Sequence, residues 1–426
     1  MLCMIEPSVL TGCLTVPPSK SQTLRALVFA LMGTGKTVIH SPLHAEDTTA
    51  MIGAIRALGA AVAVTSEMIT VEGVGPELQS RCPVIDAGNS GLVLRLIGGL
   101  APLLTTETTI TGTPALCSRR SIAPLVDGLT QLGARANSTH EPGYPPLIVR
   151  GPLQGGNARI EGRDSQPVSA LLLAGAFSPC QTELTVQHPG ETPWIDLTLD
   201  WLDRFHLSYE REGYHRYILD GKGSYRGFTY TVPGDLSSSS YPLAAAAVTG
   251  SSLKLDNVDL DDKQGDRHLF PALQAMGMTL DIDRATRTLR VQGGSTLKGL
   301  FLDVNPMVDA LPLLAVLGCY AKGTTTLYNG ASARGKESDR IHAITTELKK
   351  MGAAIEEEKA GITVRATALR GAKVKAHGDH RIAMALSVAA LGATGPSIIE
   401  GIECVAKTYP WFVDHLKQLG AKVRYL

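Results

Sequence analysis

Apolar residues recur along the chain in six stretches that share one order of predicted elements. In each stretch an Ala- and Leu-rich run typical of a buried helix ends in a Gly-containing turn. A short run of β-type residues and a second helix-like run follow. The first runs begin near Ser21, Ser90, Gln166, Ser238, Asp309 and His380. The second runs close at Leu58-Gly59-Ala60, Leu132-Gly133-Ala134, Phe205-His206-Leu207, Met276-Gly277-Met278, Met351-Gly352-Ala353 and Leu419-Gly420-Ala421. The period of roughly 70 residues is far longer than a solenoid repeat, and it predicts six α/β units.

The fifth stretch shows the pattern most clearly. Residues 310–317 are apolar at almost every position, which is typical of a buried helix. The β-branched segment 324–328 predicts a strand, and residues 341–351 carry apolar side chains at helical spacing. We expect Gly352 to end this second helix, because glycine enters the left-handed region at little cost.

The six units divide naturally into three and three. A Pro-Pro pair, Pro17-Pro18, precedes the first unit, and Pro233-Gly234 precedes the fourth. We therefore expect an N-terminal strand in residues 1–17 that packs with the C-terminal domain. Repeats 1–3 would form a domain over 18–232 and repeats 4–6 a domain over 233–426. Such a double connection predicts a hinge, with the active site in the cleft between the domains.

Composition and charge narrow the class of protein. Apolar residues make up 44% of the 426-residue chain and charged residues 19%, which allows large buried cores. The formal net charge is +0, so no bulk attraction to nucleic acid or to a membrane is expected. The longest apolar runs, such as 310–320, are too short to span a bilayer. Residues 1–15 lack the basic head and apolar core of a signal peptide.

The cysteines point to a reducing environment. There are 7, they are scattered, and no C-x-x-C pair occurs. This pattern indicates neither a zinc site nor a disulfide framework. It favours a cytoplasmic location.

Small polar residues and cations recur where the apolar helices are predicted to begin. Lys20, Ser21 and Arg25 stand at the start of a helix, where free N–H groups and cations bind phosphate or carboxylate. Ordinary N-capping with solvated charges also explains this segment taken alone. Similar polar starts occur at residues 88–91, 164–166, 234–240 and 378–381. Because they share one phase of the repeat, they favour helix N-termini that converge on one anion-binding cleft.

The segment 336–340, Lys-Glu-Ser-Asp-Arg, is dense in charge. It is either a solvated loop whose acids begin a helix or a Lys/Arg clamp around a carboxylate that carries a proton. Asp309, at the head of a strongly apolar helix, is either an N-cap or a base. Arg119, Arg120 and Lys407 add cations in other repeats.

Two further motifs are interpreted as incidental. Residues 33–37, Gly-Thr-Gly-Lys-Thr, resemble the end of a P-loop, but Ala30 stands where that pattern requires glycine. Cys117 lies beside Arg119 and Arg120, which would activate a nucleophilic thiol, yet an incidental free cysteine is the commoner case.

The motifs along the chain, taken in sequence order, resemble those of the 5-enolpyruvylshikimate-3-phosphate synthase family, whose members are also called 3-phosphoshikimate 1-carboxyvinyltransferases. The likeness covers essentially the whole chain. The motifs that carry it are Ser19-Lys20-Ser21 with Arg25, Gly88-Asn89-Ser90-Gly91 with Arg95, Ser165-Gln166, Pro193-Trp194-Ile195-Asp196, Gly234-Asp235 through Tyr241, and Asn305 with Asp309. The most specific are Lys336-Glu337-Ser338-Asp339-Arg340, Asp379-His380-Arg381 and Lys407-Thr408-Tyr409-Pro410. Each motif is weak alone, and the ordered set is a strong match.

The resemblance implies a two-domain inside-out α/β barrel, the enolpyruvyl transferase fold, with six βαβαββ-like repeats, three per domain. It implies a reaction in which the 5-hydroxyl of shikimate 3-phosphate attacks C2 of phosphoenolpyruvate while C3 is protonated, after which phosphate leaves. These two small molecules would be the partners of a cytoplasmic monomer. No metal and no organic cofactor is implied.

The resemblance also implies a role for each matching residue. Shikimate 3-phosphate would be held by Lys20, Ser21, Arg25, Ser165, Gln166, Asp309 and Lys336. Phosphoenolpyruvate would be held by Lys20, Gly91, Arg120, Gln166, Arg340, Arg381 and Lys407. Asp309 would take the hydroxyl proton and Glu337 would protonate C3, with Lys20 and His380 assisting.

Several positions depart from the family pattern. Leu92 and Leu96 replace the usual Thr and Pro. What looks like one extra residue precedes Arg120, so the family's phosphoenolpyruvate-binding arginine corresponds to either Arg119 or Arg120, and we assign it to Arg120. Asp164 stands where a Ser commonly holds the sugar phosphate. The segment 191–192 is Glu-Thr, where the family commonly has Ser followed by Lys or Arg. We expect these carboxylates either to point away or to weaken binding of shikimate 3-phosphate.

Two alternatives remain from the residues. One is the sister enolpyruvyl transferase that acts on UDP-N-acetylglucosamine, which carries a Cys where Cys117 falls but has Lys-Asn in place of Lys20-Ser21. The other is a catalytically inactive homologue that only binds an anion, against which the carboxylates Asp309 and Glu337 argue.

Overall fold

The chain folds into two compact units in a computed structural model that describes residues 1–139 and 142–426. The first unit is Pro18–Val232, and the second combines Met1–Pro17 with Pro233–Leu426. Each unit has its own hydrophobic core, built from three of the six repeats.

Each repeat contributes one four-stranded sheet, and all six sheets share one strand order. An edge strand pairs in parallel with its neighbour, which pairs antiparallel with a third strand, and that strand pairs antiparallel with the fourth. In the first unit the sheets are Thr229–Thr231, Thr34–His40, Met68–Val74 and Ala61–Val64; Val84–Asp86, Thr108–Thr111, Leu147–Arg150 and Arg135–Ser138; and Gly156–Glu161, Thr182–Gln187, Arg216–Leu219 and Tyr209–Glu212.

The second unit repeats this order. Its sheets are Cys13–Thr15, Leu253–Asp256, Thr288–Gln292 and Thr279–Asp283; Phe301–Asp303, Thr324–Tyr328, Gly361–Arg365 and Ala354–Glu358; and Lys373–Lys375, Ser397–Glu400, Leu2–Ile5 and Val423–Tyr425. The α/β class and the six predicted repeats are confirmed. The strands of the described residues form separate sheets, and none of these sheets closes into a barrel.

Strands remote in sequence complete the sheets at the ends of each unit. Thr229–Thr231 pairs in parallel with Thr34–His40, so the last strand of the first unit joins its first sheet. In the second unit Cys13–Thr15 pairs with Leu253–Asp256, and Leu2–Ile5 lies between two C-terminal strands. These pairings attach the N-terminal segment to the second unit.

The core of each unit consists of three helices that are buried on nearly every side. They are Lys20–Met32, Gly91–Leu100 and Ser165–Phe177 in the first unit and Leu236–Thr249, Leu311–Tyr320 and His380–Leu391 in the second. A helix that is apolar all round must be covered by other elements, which explains their position under the sheets. We call these the inner helices.

More amphipathic helices lie outside them. They are Glu46–Ala57, Pro114–Arg119, Ala123–Gln131, Thr192–Arg204, Leu269–Ala275, Arg340–Lys350 and Phe412–Gln418. Short 3-10 helices occupy Ala101–Leu103, Gly265–His268, Asn305–Ala310, Ala331–Gly335 and Ile402–Lys407. No helix of the described residues is long and apolar enough to cross a bilayer.

The turns that close the repeats adopt the backbone expected of a helix C-terminus. Gly59, Gly133, Gly277, Gly352 and Gly420 all have positive φ, between 89° and 116°. In the third repeat His206 takes this place with φ 53°, so a non-glycine residue carries the strain there. The repeat pattern therefore reflects one recurring turn geometry.

Of the two alternatives for Asp309, an N-cap or a base, the structure does not support the N-cap. Asp309 does not cap the inner helix of the fifth repeat, which begins at Leu311 with Pro312 in its first turn. Asp309 lies instead in the 3-10 segment Asn305–Ala310, where Met307 breaks the helical backbone. Its carboxylate is thereby available for contacts with other side chains.

Candidate functional site

Arg340 is the centre of a group of charged side chains in the second unit. Its Nε lies 2.8 Å from Asp379 Oδ2, its Nη1 2.5 Å from Asp309 Oδ1 and its Nη2 2.9 Å from Glu337 Oε2. We call Arg340 and these three carboxylates the Arg340 cluster. The side chain of Arg340 is only 1% exposed and that of Asp379 is 0% exposed. The guanidinium thus fixes the positions of three carboxylates at once.

Three segments supply these residues. They are the 3-10 segment Asn305–Ala310, the start of the helix Arg340–Lys350 and the start of the inner helix His380–Leu391. Asp339 caps the helix that begins at Arg340, and Asp379 caps the inner helix that begins at His380. Asp379 also accepts hydrogen bonds from Ser338 Oγ at 2.9 Å and from the backbone N–H of Arg381 at 2.9 Å. A single buried carboxylate therefore joins two helix starts.

Further cations surround the cluster. Lys407 Nζ lies 2.8 Å from Glu337 Oε1, and Arg381 Nη2 lies 3.6 Å from Asp309 Oδ2. Lys336 is buried as well and acts electrostatically on Asp309. The sequence-predicted residues Asp309, Lys336, Glu337, Arg340, Arg381 and Lys407 are thus brought together.

These charges set the ionisation of Asp309. Burial alone would raise its pKa, but the charges of Arg340 and Arg381 outweigh burial and hold the pKa far below its usual range. Burial likewise opposes the charge of Arg340, yet Asp379 and Asp309 raise the pKa of Arg340 well above its usual value. Asp309 is therefore an ionised carboxylate. Its proton affinity would rise when a substrate anion engages the same cations.

His380 lies at the edge of this group. It is buried at the first position of its inner helix, with Nδ1 3.8 Å from Asp379 Oδ1. This places its ring beside the carboxylate that holds Arg340.

In the first unit, the predicted phosphate-binding residues surround the start of the helix Lys20–Met32. Ser19 caps this helix by accepting a hydrogen bond from Gln22 N. Lys20 Nζ lies 3.7 Å from Asp47 Oδ2. Buried Arg25 donates to Thr198 Oγ1 at 2.9 Å and 3.1 Å and to the Trp194 carbonyl at 3.3 Å. The segment has both the cap and the cations, so the N-cap and anion-site interpretations are compatible.

Gly91 lies against two guanidinium groups. A Cβ on Gly91 would be 2.7 Å from Arg120 Nε and 2.8 Å from Arg95 Nη1. Arg120 is buried, whereas Arg119 is exposed at the end of the preceding helix. The geometry therefore favours Arg120 over Arg119 as the residue that accompanies Gly91.

Arg95 ties this region to Gln166. It donates to Gln166 Oε1 at 2.7 Å and to the Ser121 carbonyl at 2.6 Å. Arg95 belongs to one of the family motifs, but the resemblance assigns it no role. Its signal was a charged residue at position 95 inside an otherwise apolar inner helix.

The two unusual carboxylates of the first unit have protein partners. Asp164 caps the helix Ser165–Phe177 through Gln166 N at 3.0 Å, and its Oδ2 lies 3.2 Å from Arg95 Nη2. Glu191 is buried and accepts a hydrogen bond from Ser165 Oγ at 3.3 Å. Leu92 and Leu96 are buried in the inner helix Gly91–Leu100.

The two motifs interpreted as incidental show no catalytic geometry. Residues 34–37 lie in the strand Thr34–His40, so they do not form a loop around a phosphate. Cys117 Sγ is 3.7 Å from the Gly112 carbonyl and 3.9 Å from Thr111 Oγ1, both neutral groups. Across residues 1–139 and 142–426, no group of three or more His, Cys, Asp or Glu side chains could hold a metal ion.

The model of one protein family, EPSP synthase (3-phosphoshikimate 1-carboxyvinyltransferase), matches residues 5–416. The chain belongs to the EPSP synthase family. The 3-phosphoshikimate 1-carboxyvinyltransferase of Acetivibrio thermocellus is 38% identical over 423 residues, covering 99% of both chains. That of Chlamydia abortus is 41% identical, covering 99% of this chain and 94% of the relative. The predicted family and transferase class are confirmed.

Solved structures agree with this assignment. The EPSP synthase from Acinetobacter baumannii superimposes with a TM-score of 0.84 at 29% identity, and all of both chains is covered. The enolpyruvyl transferase NikO from Streptomyces tendae gives a TM-score of 0.79 at 19% identity, with 100% of this chain and 98% of that chain covered, which shows a shared fold. The alternative of a UDP-N-acetylglucosamine transferase is not favoured.

Proposed function

We propose that the protein transfers the enolpyruvyl group of phosphoenolpyruvate to the 5-hydroxyl of shikimate 3-phosphate and releases phosphate. The observation that carries this proposal is the Arg340 cluster. It holds two carboxylates, Asp309 and Glu337, at one guanidinium, with Lys407 and Arg381 beside them. An addition that removes a proton from a hydroxyl and adds one to carbon needs two such groups among cations that bind the substrate anions.

Asp309 is proposed as the base of the first step. It takes the proton of the 5-hydroxyl as the hydroxyl oxygen forms its bond to C2 of phosphoenolpyruvate. Its ionised state in the unliganded protein, set by Arg340 and Arg381, fits this role. Binding of anionic substrates would offset those positive charges and make Asp309 a stronger base.

Glu337 is proposed to deliver a proton to C3 in the same step, a proton that it receives from the ammonium group of Lys407. Lys407 Nζ is 2.8 Å from Glu337 Oε1, so a hydrogen bond links this carboxylate to a proton donor. In the second step C3 of the tetrahedral intermediate returns a proton to Glu337 as the bond from C2 to the phosphate oxygen breaks, which regenerates the double bond and releases phosphate. His380 is proposed to assist by keeping Asp379, and through it Arg340, in place.

The remaining residues are proposed to bind the substrates. Shikimate 3-phosphate would contact Lys20, Ser21, Arg25, Ser165, Gln166, Asp309 and Lys336. Phosphoenolpyruvate would contact Lys20, Gly91, Arg120, Gln166, Arg340, Arg381 and Lys407. Both units would then serve one reaction. Arg and Lys side chains are suited to this task because each phosphate and carboxylate requires charged donors.

We also propose that the protein acts in the cytoplasm as a monomer. All seven cysteines are free thiols, which fits a reducing compartment.

A phosphate-release assay with both substrates tests the proposed reaction. We expect phosphate release that requires phosphoenolpyruvate and shikimate 3-phosphate together, and an enolpyruvyl ether as the organic product. Release with UDP-N-acetylglucosamine in place of shikimate 3-phosphate would contradict the proposal. Absence of turnover with both substrates, despite binding of either, would favour the non-catalytic alternative.

A further inference from the structure

Asp266 is a buried carboxyl that the proposed mechanism does not use. It lies on the short helix Gly265–His268, and its side chain is only 1% exposed. Neither of its oxygens has a hydrogen-bond partner among the described residues. Burying a carboxylate without such partners is costly, so this position has to offer a compensating interaction or function.

Hydrogen bonds of the Gln264 side chain fix the start of the short helix that carries Asp266. The preceding residue but one, Gln264, accepts a hydrogen bond from Leu236 N at 3.0 Å and donates to the Gly234 carbonyl at 2.9 Å. The helix Gly265–His268 packs against the segment Asn305–Ala310, which carries Asp309. The helix that carries Asp266 is thereby joined to the segments that carry Asp235 and Asp309.

Charged groups from four other segments of the chain act on Asp266. Arg381 and Arg340 attract it, whereas Asp309 and Asp235 repel it. Burial raises the pKa of Asp266 to about 7, with the charge of Arg381 opposing the rise and those of Asp309 and Asp235 adding to it. Asp266 therefore changes its charge close to neutral pH.

Arg381 also has a buried donor atom without a hydrogen bond. Its Nε is buried and has no hydrogen-bond partner in the described part of the chain, although Nη2 is 3.6 Å from Asp309 Oδ2. The carboxyl groups that act electrostatically on Arg381 are those of Asp309, Asp266 and Asp235. A buried donor and a buried acceptor, each lacking a bond, thus belong to one charged group.

We propose that Asp266 sets how much positive charge Arg381 offers to a substrate, and that Asp266 takes up a proton when a substrate anion binds the Arg381 guanidinium. This inference rests on the proposed function, which makes Arg381 a phosphoenolpyruvate-binding residue. In its ionised form Asp266 adds a negative charge near an anion site, so it opposes the substrate. In its protonated form it leaves the full charge of Arg381 to the substrate.

The test compares Asp266→Asn with the wild-type protein over pH 6 to 8.5, with saturating shikimate 3-phosphate. The ratio of the wild-type KM to the variant KM for phosphoenolpyruvate should rise about tenfold over this pH range. The reason is that one added negative charge beside an anion site weakens anion binding by about tenfold. Titration of the substrate itself is common to both proteins and cancels in the ratio. The value of kcat should differ by less than about threefold, because Asp266 touches no reacting atom.

Asp261→Asn is the matched control. It makes the same chemical change five residues away, on a side chain that is 70% exposed and pairs with Arg284. Its KM-against-pH profile should follow that of the wild type. Parallel profiles for wild type and Asp266→Asn would overturn the proposal. So would a loss of kcat in Asp266→Asn with an unchanged KM profile.

Proton uptake gives a second measurement that needs no turnover. Phosphoenolpyruvate binding is measured by calorimetry at pH 7.5, in buffers of different ionisation enthalpy. The wild type should take up a larger fraction of a proton than Asp266→Asn, and equal uptake would overturn the inference. If the variant does not fold, carboxyl-¹³C aspartate NMR of the wild type should show one buried carboxyl that becomes protonated when phosphoenolpyruvate binds. A wild type that binds the ligand without turnover would contradict the proposed function but leave this comparison intact.

Discussion

Asp379 and Arg340 form a buried ion pair that links the starts of two helices. The Arg340 Nε–Asp379 Oδ2 distance is 2.8 Å, and the same carboxylate accepts the backbone N–H of Arg381 at 2.9 Å. Removal of one partner from such a pair leaves an uncompensated charge in the interior. The pair therefore combines a structural role with the positioning of Arg340.

We expect Asp379→Asn to destabilise the protein by about 3 kcal/mol, the usual cost of breaking a buried pair. Turnover should fall as well, because Arg340 loses the carboxylate that orients its Nε. Urea unfolding and steady-state kinetics measure both effects. Asp281→Asn is the control, since Asp281 pairs with Arg290 at 3.5 Å and is 62% exposed. A loss below 1 kcal/mol in Asp379→Asn would contradict this role.

Asp309→Ala should affect rate far more than binding. The proposed base removes a proton in the step that forms the C–O bond, and such groups contribute about 10²–10⁴-fold in rate. We expect kcat to fall by that factor while the KM for shikimate 3-phosphate changes by less than about tenfold. Phosphate-release kinetics measure both parameters. Unchanged turnover would remove the assignment of Asp309 as the base.

Asp164→Ser separates the two expectations for this unusual carboxylate. Asp164 already binds Arg95 and caps its helix, so its charge is engaged within the protein. Serine preserves the cap, and loss of the Arg95 pair should cost about 1–3 kcal/mol of stability because Arg95 is buried. The dissociation constant for shikimate 3-phosphate should change by less than about threefold, since the carboxylate points toward Arg95. A tenfold fall in this constant would instead show that Asp164 opposes the phosphate.

The repeats were predictable because each is built from the same local signals. A helix apolar on all sides, such as Leu311–Tyr320, and a turn such as Gly352 with φ 89°, are properties of short segments. The Arg340–Asp379 pair is different, since it joins residues 39 positions apart that meet only after two repeats pack. Both residues belonged to recognised motifs, but their contact did not follow from the pattern.

The position of Asp309 shows a second limit. The apolar run predicts a helix near residue 309, but that helix begins at Leu311, and the non-helical backbone at Met307 leaves Asp309 in a 3-10 segment. The burial of Asp266 is not predictable from the sequence, because a lone carboxylate in a polar segment gives no sign of burial. Its environment depends on Asp235, Asp309 and Arg381, which come from three other segments of the chain.

Gly91→Ala should selectively weaken the binding of phosphoenolpyruvate. The added Cβ would lie 2.7 Å from Arg120 Nε and 2.8 Å from Arg95 Nη1, so both guanidinium groups must move. We expect the KM for phosphoenolpyruvate to rise by about tenfold, because the cations that hold phosphoenolpyruvate are displaced. The KM for shikimate 3-phosphate should rise by less. Gly53→Ala is the control, because no atom lies within 4 Å of the Cβ it would add. Equal effects on both KM values would contradict the placement of Arg120 at the phosphoenolpyruvate site.

Asp266→Asn should also change how stability depends on pH. In the unfolded chain this carboxyl ionises near its ordinary pKa of 3.8, whereas in the folded protein burial raises the pKa to about 7. Between these values the unfolded state has released the proton and the folded state has kept it, so the wild type loses stability as pH rises. The loss is complete above pH 7 and is absent from the variant.

Between pH 5.5 and 8 the wild type should therefore lose about 2 kcal/mol relative to Asp266→Asn, because each tenfold change in proton concentration over the window up to pH 7 is worth about 1.4 kcal/mol. Urea unfolding of both proteins at the two pH values measures this difference. Asp261→Asn, with its exposed side chain, should track the wild type at both values. A difference between wild type and Asp266→Asn that stays constant with pH would show that Asp266 is ionised throughout the range.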